Sequence, residues 1–204
     1  MLRETFINLI HFYTKDSRRV SDLWLEIETN YSGKKRHYHT FAHLENLLNQ
    51  LLEVKEQITD WDTILFTLYY HDIIYNPLNS NNEEDSAELA ETRMKFIAIP
   101  DPIIDNCKQQ ILATKQHVTS VDDDTNYFLD ADLSILGQNW DDYEQYAKNV
   151  RKEYSIYPDI IYKPGRKKVL NHFLAMERIF KTDYFFEKFE SQAKENLKME
   201  IKSL

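Results

Sequence analysis

Three separated stretches of the sequence carry histidine and aspartate residues at spacings that suit a metal site. The first is Arg36-His-Tyr-His-Thr-Phe-Ala-His43, in which His39 and His43 stand four residues apart. On a helix, residues at this spacing project from one face, so the two imidazoles could share a metal. Alternatively, one could bind the metal while the other transfers a proton. The plainer interpretation is an amphipathic helix that starts with surface histidines.

The second stretch, Leu68-Tyr-Tyr-His-Asp-Ile-Ile-Tyr75, contains adjacent His71 and Asp72. On a helix these two residues flank an apolar face and point towards the core. An imidazole and a carboxylate in a helical core are unfavourable unless they are paired, and a metal ion would satisfy both. A hydrogen-bonded His-Asp pair, or a solvated helix end, would explain the same residues without a metal.

The third stretch, Phe128 to Gly137, contains two aspartates that helical geometry distinguishes. Asp132 falls near the middle of the apolar face, whereas Asp130 points to the opposite side and is expected to be solvated. A carboxylate at the centre of an apolar face needs a partner, so Asp132 is the candidate ligand. The apolar face is formed by Phe128, Leu129, Ile135 and Leu136.

Together these stretches supply His43, His71, Asp72 and Asp132 as one predicted set of metal ligands. Mixed imidazole and carboxylate ligands suit a divalent metal such as Mn, Fe, Co, Ni, Zn or Mg rather than thiolate-seeking ions. One ion is expected, and a second is left open. Cys107 is the only cysteine, which excludes an intrachain disulfide and a zinc–cysteine site.

The joint pattern His…His-Asp…Asp resembles that of the HD superfamily of metal-dependent phosphohydrolases. The stretch Tyr38-His-Thr-Phe-Ala-His43 is similar to the signature of its cyclic-nucleotide phosphodiesterase branch. Ala131-Asp-Leu-Ser134 matches the final aspartate segment of that branch. The resemblance implies that His43 binds the metal and that His39 is the general acid that protonates the leaving group.

A closer resemblance is to a family of small bacterial proteins described as predicted metal-dependent HD phosphohydrolases, and it spans residues from about 36 to 180. It implies hydrolysis of a small phosphomonoester or phosphodiester, with a nucleotide as one candidate. The chain lacks the adjacent His-His pair found in some two-metal HD branches. The stretches that carry the resemblance are Arg36-His-Tyr-His-Thr, Tyr70-His-Asp-Ile-Ile-Tyr, Asn82-Glu-Glu-Asp-Ser-Ala, Leu129-Asp-Ala-Asp-Leu-Ser-Ile-Leu-Gly and Arg151-Lys-Glu-Tyr.

Two further residues are candidates for roles beside the ligands. Glu83 shares a helix face with Ala87 and Ala90, so it could act in catalysis by orienting a metal-bound water or taking its proton. An acid in the first turn of a helix is explained equally by the helix dipole. His117 is a candidate for a second metal or for substrate, or it stabilises the carboxyl end of a helix.

Residues for binding phosphate are sought among basic and hydroxyl-bearing side chains. Arginine can bind phosphate oxygens in a bidentate way, although most surface cations are only solvated. For such a site, the turn at residues 163–167 would have to fold over the cleft, with residues 77–82 as one rim. The candidates are Lys115, Arg151, Tyr154, Arg166 and Lys167. Aromatic residues that could stack a nucleobase, or pack in the core, are Tyr154, Tyr157, Tyr162, Phe173 and Phe180.

Helical periodicity dominates the chain, and only three glycines are present, too few for a sheet protein or a Gly-rich phosphate loop. We predict an all-α, HD-like compact bundle of about eight to ten helices. It is expected to be a single domain, residues 1–204, in which helix 183–202 packs on the motif-bearing core. The helices are predicted near 2–14, 18–30, 40–57, 60–75, 83–98, 101–116, 124–136, 139–155, 159–181 and 183–202.

Bulk properties limit the partners. A net charge of −9 argues against a nucleic-acid coat protein, yet it allows a small phosphorylated substrate. The chain contains no run of about 18 apolar residues, so no membrane helix is predicted. The amino terminus does not resemble a signal peptide, and with the single cysteine this predicts a cytoplasmic protein. The sequence leaves the oligomeric state open.

Three other functions fit parts of this pattern. A non-catalytic sensor would bind metal and nucleotide without cleavage, but the presence of both His39 and Glu83 favours chemistry. A di-iron oxygenase on the same fold would need more histidines. A helical interaction protein with coincidental motifs would keep its metal content unchanged when Asp132 is replaced by alanine.

Overall fold

The computed structural model describes residues 1–204 and contains ten α-helices, two short 3-10 segments and no strand. The all-α architecture with ten helices confirms the predicted fold class. The helices are α1 (Leu2–Tyr13), α2 (Ser17–Tyr31), α3 (Phe41–Glu53), α4 (Trp61–Tyr70), α5 (Asn82–Phe96), α6 (Asp101–Ala113), α7 (Asp123–Asp132), α8 (Trp140–Glu153), α9 (Asp159–Ala175) and α10 (Asp183–Ser203). The 3-10 segments are Lys55–Gln57 and Leu133–Gly137.

Several helices begin where the sequence offers a capping side chain. The carboxylate of Asp122 accepts from the backbone N–H of Thr125 at the start of α7, and Asp60 does the same for Thr63 in α4. Asn139 caps α8 through the N–H of Asp142. Such caps satisfy N–H groups that have no partner inside the helix, so these starts are encoded locally.

Helix α4 ends earlier than its apolar periodicity predicts. It stops at Tyr70 rather than near residue 75, and His71 and Asp72 lie in the turn that follows. The guanidinium of Arg36 donates to the carbonyls of Asp72 and Ile73, both at 2.7 Å. These carbonyls therefore have a partner outside the helix, which compensates for ending it.

Helix α9 differs from its prediction at two points. It ends at Ala175 rather than near 181, because the N–H groups of Ile179 and Phe180 bond to the buried carboxylate of Glu190 in α10. The predicted turn at residues 163–167 is wrong. Pro164 lies inside the helix, and the carbonyl it leaves without a helical partner belongs to the exposed Ile160.

Asp130 corrects a further expectation. It was predicted to be solvated, but its side chain is fully buried. Its carboxylate accepts from the N–H groups of Lys181 and Thr182 at 2.8 and 2.7 Å and from the Thr182 hydroxyl at 2.8 Å. The chain before α10 covers the face of α7 that the helical wheel assigned to solvent.

One hydrophobic cluster of 41 buried residues reaches from Leu2 to Leu197. Helix α10 contributes Phe185, Phe189 and Leu197 to it. Phe189 packs so closely on Gly137 that a Cβ there would overlap it. This contact places α10 on the 3-10 segment that follows Asp132. None of the ten helices combines the length and apolar character that crossing a membrane requires.

Candidate metal centre

Three separate helix ends bring His43, His71 and Asp132 together. His43 lies in the first turn of α3, His71 directly follows α4, and Asp132 is the last residue of α7. The Nε2 atom of His43 is 3.2 Å from both His71 Nε2 and Asp132 Oδ1, and one donor atom from each residue lies within 4.8 Å of the others. Donor atoms about 2.1 Å from one ion lie about 3.0 to 3.4 Å apart, so these three residues could hold a metal. His43, His71 and Asp132, together with the neighbouring Asp72, are called the metal group below.

Asp72 adds a fourth donor on the more exposed side of the group. Its Oδ2 atom is 3.2 Å from His71 Nε2 and 3.7 Å from His43 Nε2. Its side chain is 21% exposed, compared with 4% for His43 and 1% for His71. The four ligands predicted from the sequence thus share one location, with Asp72 nearest to solvent.

The histidines are oriented for coordination. His71 Nδ1 lies 3.1 Å from the carbonyl oxygen of Leu68, so the neutral imidazole donates through Nδ1 and presents the Nε2 lone pair to the group. A metal-binding histidine commonly fixes its tautomer through such a bond. His43 Nε2 faces the same point, because it lies within 4 Å of both aspartates.

The electrostatics of the group favour a positive charge. Burial by itself would lower the pKa of His71, but Asp72, Asp132 and the Leu68 carbonyl raise it to about 9. Burial would raise the pKa of Asp132, yet His117, His43 and His71 hold it well below its usual range. Two charged carboxylates in a buried site need compensating positive charge, which a divalent ion could supply.

Arg36 connects the loop that contains His39 with the turn that contains Asp72. Besides the carbonyls of Asp72 and Ile73, its guanidinium donates to the carbonyl of His39 at 3.1 Å. Its guanidinium carbon also lies 4.9 Å from the centre of the Tyr31 ring. Sequence reasoning included Arg36 in the family resemblance but gave it no role. Its structural role is to fix the turn that carries two candidate ligands.

His39 does not lie on a helix, contrary to the spacing argument. Helix α3 begins at Phe41 with Thr40 as its amino cap, so His39 precedes the helix. Its Nε2 atom still reaches to 3.9 Å from Asp72 Oδ2. The proximity to the metal group therefore comes from the loop conformation rather than from helical periodicity.

Glu153, at the end of α8, determines that loop conformation. One carboxylate oxygen accepts from the N–H groups of His37, Tyr38 and His39 at 2.7, 2.7 and 3.0 Å. The other lies 2.8 Å from His39 Nδ1 and 3.0 Å from the Tyr75 hydroxyl. Burial would raise the pKa of Glu153, but its bond to His39 and these N–H groups lower it to about 2.

Sequence reasoning missed Glu153. One signal was present, because an acid in the last turn of a helix is unfavourable with the helix dipole and so suggests a partner elsewhere. Glu153 ends α8, and the stretch Arg151-Lys-Glu-Tyr was part of the family resemblance. The partner itself lies 114 residues away in the chain, beyond the reach of any local pattern.

His117 contacts the metal group through Asp132. Its Nε2 atom is 3.0 Å from Asp132 Oδ2, the oxygen that faces away from His43. Its backbone adopts a left-handed conformation, with φ of 52°, four residues beyond the end of α6. Its N–H also bonds to the carbonyl of Ala113, so the residue closes the helix end as well. Both roles considered for His117 are thus compatible with its position.

A cavity of about 570 Å³ opens onto the metal group, a size typical of small-molecule sites. His39, Asp72, His117 and Asp132 line one part of it. The expected rim is also present, since several residues of the 77–82 loop line the cavity. The rim residues are Pro77, Asn79, Ser80 and Asn82, and the aromatic lining residues are Tyr38, Tyr75, Tyr146, Tyr154, Tyr157, Tyr162 and Phe173. Phe180, in contrast, belongs to the core.

The two cationic candidates that line the cavity already have partners. Lys115 lines the cavity, but its Nζ atom bonds to the Glu84 carboxylate at 2.5 Å and the Ser80 carbonyl at 2.7 Å. Arg166 also lines it, yet it is buried and forms a two-pronged pair with Glu200 at 2.7 and 2.9 Å. Neither cation is free to meet a phosphate without giving up a carboxylate.

Arg151 and Lys167 lie outside the cavity lining. The Arg151 guanidinium donates to Asp159 at 2.8 Å and to the carbonyls of Tyr154 and Tyr157, both at 3.0 Å. It therefore closes the turn between α8 and α9. Glu83 does line the cavity, where its carboxylate lies 3.7 Å from Lys115 Nζ.

A second cavity, of about 410 Å³, reaches the metal group from another side. It shares Tyr38, Asp132, Ile135 and Tyr146 with the first cavity and also touches His43. Its lining is rich in carboxamides rather than aromatic rings. These carboxamides belong to Asn46, Asn49, Gln50, Gln138, Gln145 and Asn149. The metal group is therefore bordered by two cavities of different chemistry.

Comparisons of the chain with protein-family models, with curated proteins and with solved structures found no match. The resemblance to HD phosphohydrolases therefore stays a prediction from the motifs.

Proposed function

We propose that this protein is a metal-dependent phosphohydrolase that cleaves a small phosphomonoester or phosphodiester. The observation that carries the proposal is the convergence of two histidines and two aspartates beside a cavity of small-molecule size. The residues are His43, His71, Asp72 and Asp132, drawn from three distant parts of the chain. The same ligand pattern underlies the resemblance to the HD superfamily.

In this proposal the four ligands hold one divalent ion. When bound, such an ion polarises a phosphoryl oxygen and lowers the pKa of water at the site. The buried histidines supply neutral nitrogen donors, and the two carboxylates balance the charge of the ion. His117 holds the second oxygen of Asp132, which fixes the orientation of that ligand.

His39 is the proposed general acid. Glu153 holds Nδ1, so Nε2 is directed towards Asp72 and the cavity. Burial by itself would lower the pKa of His39, but Asp72 and Glu153 raise it above its ordinary value. The raised pKa favours the protonated imidazole, which would donate its Nε2 proton to the leaving oxygen.

The test begins with metal content. Elemental analysis of the purified protein should find a divalent metal, and Asp132→Asn should reduce it sharply. The matched control is Asp123→Asn, an exposed aspartate in the first turn of the same helix, which should keep wild-type metal content. Equal metal content in the two variants would contradict the metal site.

Hydrolysis is then measured on a panel of phosphomonoesters and phosphodiesters with added Mn, Co, Ni or Mg. The proposal expects turnover that depends on metal and is lost in Asp132→Asn. His39→Asn should retain metal but lose activity on esters with poor leaving groups, because those depend most on protonation. Metal binding with no turnover across the panel would instead indicate a non-catalytic sensor.

A further inference from the structure

One wall of the main cavity is an apolar stripe on α9, of which only Phe173 packs against the hydrophobic core. Ile161, Gly165, Val169 and Phe173 follow one another at four-residue spacing, so they share one helix face, and all four line the cavity. Ile161 is 56% exposed and Val169 45% exposed. Apolar side chains that line a cavity rather than the core are available to contact a ligand.

The rest of the cavity adds aromatic surface beside this stripe. Seven of its lining residues are tyrosine or phenylalanine, and two of the tyrosines, Tyr154 and Tyr162, have ring centres 6.0 Å apart. Leu133, Ile135 and Leu136 continue the apolar lining directly after the ligand Asp132. An apolar compartment is therefore continuous with the metal group.

The charge of the cavity opposes a highly anionic ligand. Its lining contains three carboxylates, Asp72, Glu83 and Asp132, and two cations, Lys115 and Arg166. With both of its histidines neutral the lining thus carries a net charge of −1, and with His39 protonated and a divalent ion bound it carries +2. Both cations are also neutralised by carboxylates of their own. A single phosphoryl group matches this charge, whereas a diphosphate or triphosphate would need further cations.

We infer that the cavity selects esters in which one phosphoryl group is joined to an apolar alcohol. The phosphoryl group would lie at the metal group, and the alcohol would lie against the stripe of Ile161, Gly165 and Val169. The inference rests on the proposed function for the location of the phosphoryl group. It adds the substrate class, which the metal ligands alone do not define.

Gly165 offers a direct probe of the apolar wall. Gly165 lines the cavity, and a Cβ built at this position meets no atom within 4 Å, so a larger side chain has room to start towards the cavity. Gly165→Leu should therefore occupy the space assigned to the alcohol. Asn171→Leu is the matched control, because Asn171 is an exposed residue of the same helix outside the cavity lining.

The experiment measures binding, with no turnover required. Isothermal titration of the Mn-loaded protein compares benzylphosphonate, methylphosphonate and methylenediphosphonate, with metal content checked after each titration. Burial of the phenyl ring should make benzylphosphonate bind at least about tenfold more tightly than methylphosphonate. Methylenediphosphonate should gain nothing over methylphosphonate. In Gly165→Leu the benzyl-to-methyl ratio should fall towards one, and in Asn171→Leu it should stay at the wild-type value.

Equal affinity for the benzyl and methyl probes, or tighter binding of the diphosphonate, would overturn the inference. Val169→Asn provides a second variant that makes the wall polar without filling it, and the benzyl-to-methyl ratio should fall there too. If Gly165→Leu does not fold, the benzyl-to-methyl ratio of Val169→Asn tests the inference instead, and an unchanged ratio would overturn it.

Failure of the inference and failure of the proposed function give different results. Hydrolysis that is fastest on polyphosphates would support a phosphohydrolase and refute the apolar substrate. A strong benzyl preference in binding, with no hydrolysis of any ester, would support the apolar pocket and refute the catalytic function.

Discussion

Replacement of Glu153 by glutamine gives the sharpest test of how the site is held together. The buried carboxylate accepts three backbone N–H groups and also bonds to His39 and Tyr75. Glu153→Gln keeps the shape but removes the charge, and its amide N–H₂ would face the His39 Nδ1–H. The folded protein should lose stability, and His39 should lose the partner that favours its protonated form.

The magnitude follows from the pKa of Glu153, which is lowered from 4.5 to about 2 in the folded protein. Because the folded pKa is depressed, the charged form stabilises the fold above pH 4.5, and this contribution is lost as the pH falls towards 2. At pH 7 it amounts to about 3 kcal/mol, and at pH 3 to about half of that. Total stabilities are typically about 5–15 kcal/mol, so the difference is measurable.

The assay is urea unfolding of metal-free wild type and Glu153→Gln at several values between pH 7 and pH 3. The difference in free energy of unfolding should shrink by about half over this range. Glu144→Gln is the control on the same helix. Its exposed pair with Lys148 should contribute less than about 1 kcal/mol. A pH-independent difference between wild type and Glu153→Gln, or none at pH 7, would refute the reasoning.

Further predictions concern the backbone, the loop and the metal. Gly165→Ala should raise the free energy of unfolding by about 0.5–1 kcal/mol, since its Cβ meets open space in a helix. Gly137→Ala should lower it by about 1–3 kcal/mol, because the new Cβ would overlap Phe189, and urea titrations of both variants check the contrast. Arg36→Lys should lower the free energy of unfolding by about 2 kcal/mol, because lysine lacks the forked N–H donors with which Arg36 bonds three carbonyls. The same variant should bind metal more weakly in a calorimetric titration. Mn²⁺ at about 100 times its Kd should add about 2.7 kcal/mol to the wild type but not to Asp132→Asn, as measured by urea unfolding.

Local signals accounted for the helices and for the types of the candidate ligands. Side-chain caps such as Asp60 and Asp122 indicate where helices begin, and apolar periodicity indicates that the elements are helices. The apolar face of α7 also indicated Asp132, which does lie beside His43 and His71, although the accompanying expectation of a solvated Asp130 is wrong. The helix starts and the position of Asp132 on its helix both follow from residues that are close together in the sequence.

What sequence reasoning missed depends on contacts between distant residues. Asp130 was assigned to solvent because the helical wheel cannot show that residues 179–182 cover it. Arg166 was assigned to phosphate, but Glu200, 34 residues further along, pairs with it. The end of α4 and the position of His39 depend on Arg36 and Glu153, whose partners lie on other elements. A pattern in one helix contains no information about such partners.

The contacts around Asp132 have a consequence for the far end of the chain. Two residues before it, Asp130 binds the backbone just ahead of α10, and five residues after it, Gly137 lies under Phe189 of that helix. These contacts with α10 therefore restrict the movement of the segment that ends in Asp132. Amide hydrogen exchange in α10 should slow when the site is filled, so the remote terminus would report occupancy of the centre.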